Sequence, residues 1–141
     1  RHIAIKIASR EAEPLPAPKP YREIFVWSPD VEGVHLRMGP VARGGLRWSD
    51  RREDFRSEVL ALVKAQNVKN AVIVPLGAKG GFVPRALPPP GAPREKVEQA
   101  GIAAYKRFVG ALLEITDNLA DGKAVRPDDL IVWDADDPYL V

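Results

Sequence analysis

Apolar positions alternate over short stretches in the first third of the chain and recur at helical spacing further on. Ile3, Ile5 and Ile7 alternate with other residues, as on one face of a short strand. Residues 22–27 and 34–38 are β-prone runs, and Ser28-Pro29-Asp30-Val31-Glu32-Gly33 between them has turn composition, so the pattern predicts an antiparallel pair. Asp50 followed three residues later by Glu53 marks a helix start, and Phe55, Val59, Leu62 and Val63 predict a helix over residues 51–67. The apolar run 71–74, ended by Pro75, reads as a buried strand opening into a loop at residues 76–81. A second long helix is expected from near Arg94. Tyr105, Phe108, Val109, Leu112, Leu113, Thr116 and Leu119 mark its buried stripe, and Gly101 and Gly110 permit close packing at a cost of about 1 kcal/mol each relative to Ala. Residues 130–133 read as a last strand. This succession of elements predicts an α/β fold, a mixed sheet with flanking helices.

Proline organises the rest. It recurs at alternate positions towards the end of residues 11–20, which favours an extended path. Residues 1–20 are therefore read as a lead-in strand and proline-rich linker, and 21–141 as one further unit. Residues 85–93 are again proline-rich and read as a surface excursion. No internal repeat is found, and 141 residues suit a single core. The chain begins with Arg1 and no signal-peptide pattern, so it is read as an excised piece. No apolar run approaches the roughly 20 residues of a membrane span, so no membrane partner is expected. The absence of Cys removes disulfides and thiolate metal sites and fits a cytoplasmic protein. With only His2 and His35 as imidazoles, a transition-metal site would need mostly carboxylates, and none is expected; His35 reads as a packed strand residue. The formal charge of +2 is too small for general nucleic-acid binding. Locally, Asp50, Glu53 and Asp54 interleave with the basic residues 47–56 and would repel phosphates, so that stretch reads as an ion-paired helix face.

Three segments carry candidate chemistry: Ala42-Arg43-Gly44-Gly45-Leu46-Arg47-Trp48, Val68-Lys69-Asn70-Ala71 and Gly77-Ala78-Lys79-Gly80-Gly81. Paired glycines admit close approach to a backbone, and nearby cations supply charge-assisted hydrogen bonds to an anion, a combination suited to small carboxylates. A nucleotide P-loop is excluded, because Gly80 follows Lys79 where Ser or Thr would be needed; no Gly-x-Gly-x-x-Gly opens a helix after a strand either. The plain structural alternative makes Lys69 a helix-end residue, Lys79 a loop residue and the glycines turn formers.

The run from Gly39 through Trp48 and Ser49-Asp50-Arg51-Arg52-Glu53-Asp54-Phe55 to Leu60, with residues 69–83, closely resembles the large NAD-specific glutamate dehydrogenases. Glu23-Ile24-Phe25-Val26, residues 31–37, Thr116-Asp117-Asn118 and residues 136–141 extend the resemblance over almost the whole chain. It implies part of the substrate-binding domain of a glutamate-dehydrogenase-like fold, ending before the catalytic Asp and the NAD-binding domain. It also implies oxidative deamination of L-glutamate to 2-oxoglutarate and ammonium with NAD, by a parent expected to be a homo-oligomer. By similarity to the smaller glutamate dehydrogenases, Arg43 stands where a lysine holds the distal carboxylate, beside Gly44 and Gly45. Lys69 is the α-carboxylate ligand and Lys79 the catalytic lysine. The extra Gly that those enzymes carry before Ala78 is absent, and Asn67 replaces their Met. A rival expectation is an assembly module with no activity of its own.

Overall fold

In the computed structural model, which describes residues 1–69 and 76–138, with backbone alone at 67–69, a five-stranded mixed sheet separates two helices. Its strands are β1 (Ile3–Ile7), β2 (Arg22–Trp27), β3 (Val31–Arg37), β4 (Arg43–Trp48) and β5 (Gly77–Pro84), in spatial order β1-β2-β3-β5-β4. Among the described strands only β4 and β5 run parallel. Helix α1 (Phe55–Lys69) lies on one face and α2 (Arg94–Glu114) on the other. The α/β class with a mixed sheet and flanking helices is as expected.

Alternation within the strands builds two cores. Ile24, Val26, Val31 and Phe82 meet Ala104, Phe108, Ala111 and Leu112 of α2. Val34, Leu36 and Val83 meet Val59, Leu60 and Val63 of α1. The expected β2–β3 hairpin forms with a tighter turn than the sequence predicts, since Val31–Gly33 already belong to β3; the Ser28 hydroxyl accepts the N–H groups of Asp30 and Val31 and closes it. The lead-in also differs from an extended path. Residues 8–15 close into turns through Glu11 N–H to the Ala8 carbonyl and Leu15 N–H to the Ala12 carbonyl, and β1 pairs with β2.

Several expectations need correction. The glycine-rich segment 77–81 is not a loop but the first part of β5, flanked by β3 and β4. Residues 43–48, not anticipated as a strand, form β4. The strand expected at 71–74 lies outside the described residues. Residues 130–133 form no strand; Ile131 and Trp133 are 86% and 94% exposed. A small hairpin of β6 (Asn118–Ala120) and β7 (Lys123–Val125) stands just before them instead. Its turn is Asp121-Gly122 with φ of 52° and 74°, and Asp-Gly between short strands was the overlooked signal. On α2, Phe108 and Leu112 are buried, but Tyr105, Leu113 and, beyond the helix, Leu119 are exposed, because Gly101, Ala104 and Ala111 complete the packed stripe.

Candidate functional site

Side-chain alternation decides which residues of β4 and β5 can meet. A Cβ built on Gly81 would lie 2.5 Å from Val59 of α1, so Lys79, Gly81 and Val83 point to the α1 face. Parallel pairing sets Arg43 beside Gly77 and Gly45 beside Lys79, which puts Arg43, Gly45 and Arg47 on that same face. On its other side Lys79 has Leu36 of β3 as its cross-strand neighbour, fully buried. Leu36 fills one flank of the lysine and Gly45 leaves the other open, so the ammonium lies 4.0 Å from where a Gly45 Cβ would stand.

The two glycines of β4 therefore serve different ends. A Cβ on Gly44 would fall 1.3 Å from the Ala78 carbonyl oxygen, so a bare backbone there is what allows β4 to pair with β5. A Cβ on Gly45 would touch, among the described residues, nothing nearer than the Lys79 ammonium. Gly44 closes the sheet, and Gly45 keeps its surface open.

Helix α1 closes one side of this shelf. The Gln66 side-chain amide donates to the Arg43 carbonyl at 2.7 Å, fastening the last turns of the helix to the start of β4. Lys69 is the last residue of α1, three positions after Gln66; its side chain lies outside the described residues. The structure thus brings Arg43, Gly45 and Lys79 onto one face and ends α1 near them. Gln66 was missed by sequence reasoning, since a lone glutamine on a helix carries no signal of its own.

Countercharge separates the cations. Arg47 of β4 pairs with Glu58 of α1 at 2.9 Å, and Arg56 of α1 pairs with Glu23 of β2 at 2.7 Å, so the stretch 47–56 is ion-paired through carboxylates outside it and is helical only at its end. Arg43 and Lys79 have no ion-pair partner among the described residues. Arg43 is exposed and Lys79 half-buried, while two surface hollows lie elsewhere, one lined by Arg51, Asp54 and the first half of α1 and one beside residues 129–135. Among the described residues no group of three His, Asp or Glu side chains could hold a metal, and no helix is long and apolar enough to cross a membrane.

The family model for the catalytic domain of bacterial NAD-glutamate dehydrogenase matches residues 1–141. The chain belongs to the bacterial NAD-glutamate dehydrogenase family. Similar curated proteins bear the name NAD-specific glutamate dehydrogenase: those of Pseudomonas aeruginosa and Halomonas elongata are each 60% identical over 140 residues, and that of Mycobacterium tuberculosis is 54% identical over 145. Each alignment takes in 99% of this chain, which spans about 9% of the relative's length.

A dinucleotide-binding glycine turn is not found among the described residues. No strand among them enters a helix through a Gly-x-Gly-x-x-Gly turn, and the β4-to-α1 connection carries Asp50, Glu53 and Asp54, which repel phosphates.

Proposed function

We propose that this chain is part of the substrate-binding domain of a glutamate dehydrogenase in which L-glutamate, NAD and water give 2-oxoglutarate, ammonium and NADH. The observation that carries the reading is the pairing of β4 on β5, which sets two cations with no ion-pair partner among the described residues on one face across a bare glycine. Arg43 holds the distal carboxylate and Lys69, by its place in the sequence motif, the α-carboxylate. Gly45 leaves room for the substrate between Arg43 and Lys79. A substrate fixed at both ends presents its α-carbon in one orientation, which removes most of the entropic cost of reaching the reactive geometry. Lys79 takes the proton of the water that attacks the oxidised α-carbon, and NAD is held by residues outside this chain.

The test is kinetic, in the protein at its full encoded length. Lys79→Ala should lower kcat about 100-fold or more while glutamate still binds. Arg43→Ala and Lys69→Ala should instead raise KM for glutamate, each by the equivalent of about 1.5–3 kcal/mol. Normal turnover by a folded Lys79→Ala variant would refute the role.

An assembly role rests on a different observation. Ile3 and Ile5 are 56% and 50% exposed on the α1 side of β1, where α1 makes no cover. If that role is the main one, replacing both with Thr will weaken self-association and leave glutamate kinetics untouched.

A further inference from the structure

Arg37 ends β3 on the face opposite Lys79 and is 3% exposed. Its guanidinium lies 5.5 Å from the centre of the Tyr21 ring, and two of its contacts run in different directions. Nη1 donates to the Pro40 carbonyl at 3.1 Å, and Nη2 pairs with the carboxylate of Asp137. Asp137 is itself buried. Its carboxylate also meets Lys6 of β1 at 3.3 Å, and its backbone N–H donates to Asp117 Oδ2 at 2.6 Å. Burial pushes the Asp137 carboxyl up, but the hydrogen bond and charge of Arg37, with the contribution of Lys6, outweigh it and hold the group below the ordinary aspartate range. The carboxylate is thus held from β1 and β3, and the backbone of the same residue from the segment that follows α2.

Pro40 belongs to the connection 38–42, whose next residue is Arg43. Several described contacts fasten that connection and its end, where Arg43 N–H donates to the Leu76 carbonyl at 3.3 Å. Met38 N–H donates to the Gly77 carbonyl at 3.0 Å, Arg10 donates to the Met38 carbonyl at 2.9 Å, and Gly39 lies so close to Leu76 that a Cβ there would sit 2.1 Å from its side chain. Arg37 is the tie that reaches the middle of the connection from beneath the sheet. A guanidinium can serve both acceptors at once, because its donors form a planar fork, and the carboxylate fixes the orientation of that fork.

We propose that Arg37 and Asp137 are positioning residues for Arg43: the buried pair holds the Pro40 carbonyl, and through it sets where Arg43 meets the substrate carboxylate. Neither residue touches the substrate. The proposal rests on the reading of Arg43 as the distal carboxylate ligand. It assigns a role in glutamate recognition to a pair on the far side of the sheet.

The experiment is a kinetic cycle in the protein at its full encoded length, with NAD saturating. Asp137→Asn keeps the size of the side chain and the backbone N–H to Asp117 but removes the charge that orients Arg37. KM for glutamate should rise about tenfold with kcat within about twofold, and KM for NAD should not move. In an Arg43→Ala background the same substitution should have no further effect on KM, because the residue through which it acts is gone. A general loss of structure would instead add to the Arg43→Ala effect, and additive effects overturn the proposal. If Arg43→Ala raises KM and Asp137→Asn does not, the positioning pair is wrong and the substrate reading stands. If Arg43→Ala leaves KM unchanged, the substrate reading fails and the proposal falls with it. Should Asp137→Asn not fold, Arg37→Lys carries the test: it keeps a positive charge for Asp137 but lacks the fork, and an unchanged KM overturns the proposal.

Discussion

Gly44 and Gly45 are neighbours in sequence, yet an added methyl would have opposite consequences at the two positions. At Gly44 it would meet a backbone oxygen at 1.3 Å, and backbone locked between paired strands cannot step aside. Gly44→Ala should therefore cost about 3 kcal/mol or more, read as a fall in urea midpoint or as failure to accumulate folded protein. At Gly45 the nearest described atom is the Lys79 ammonium at 4.0 Å, an ordinary contact. Gly45→Ala should leave stability within about 0.5 kcal/mol while lowering glutamate affinity, and Gly45→Val should lower it further. If Gly45→Ala destabilised as much as Gly44→Ala, the division between them would be wrong. The sequence marks both glycines as candidate site residues but does not separate them. Which of them faces a neighbouring carbonyl depends on the register of β4 against β5, a contact between residues more than thirty positions apart.

Between elements, one buried ion pair fastens helix to sheet. Glu23 of β2 is 4% exposed and accepts from Arg56 of α1 at 2.7 and 2.9 Å and from the Ser9 hydroxyl at 2.8 Å. Burial pushes the Glu23 carboxyl up, but these hydrogen bonds and the Arg56 charge overcome it, and the group is held below the ordinary glutamate range. A carboxyl with a lowered folded pKa adds stability that is fully present above its unfolded value, about pH 4.3, and is lost as pH falls through the folded one. Glu23→Gln should thus cost about 1–2 kcal/mol at pH 7, and the gap to the unsubstituted protein should narrow towards pH 3; a gap that stays constant across that range would remove the ion pair as its cause. Helix α2 offers a second contrast. A Cβ on Gly101 would stand 2.1 Å from the Trp48 ring, whereas one on Gly110 would meet nothing within 4 Å. Gly110→Ala should raise stability by up to about 1 kcal/mol through helix propensity alone, and Gly101→Ala should lower it, both read by thermal unfolding. Elements were legible where local chemistry decided them, as in the Ser28 turn and the start of α2 near Arg94. They were not legible at 43–48 and 77–81. There glycine pairs, which ordinarily signal turns, instead let strands approach closely.

At the scale of the whole molecule, Arg43 and Lys79 stand on one face of a mixed sheet with α1 fastened beside them, and nothing described covers the shelf from above. Water reaches both cations there. Charge-assisted contacts to a dicarboxylate are weaker in that setting than in a closed cleft, because the effective dielectric stays high and each group must shed solvent to bind. The sequence also holds no Gly-x-Gly-x-x-Gly motif with which a helix N-terminus could grip a pyrophosphate. Hydride transfer requires the nicotinamide within about 3–3.5 Å of the substrate carbon, and in the proposed reading residues outside this chain hold it there. The 141-residue chain produced by itself should therefore bind glutamate or 2-oxoglutarate no more tightly than about millimolar, bind NAD below detection, and form no NADH from glutamate. Titration calorimetry with each ligand and an absorbance assay for NADH decide the matter together. Weak dicarboxylate binding that disappears in the Arg43→Ala variant would support the shelf as the carboxylate site even without turnover. Tight NAD binding or measurable turnover by the chain alone would mean that a dinucleotide site exists within these residues, and the division of labour argued for the family member would have to be redrawn.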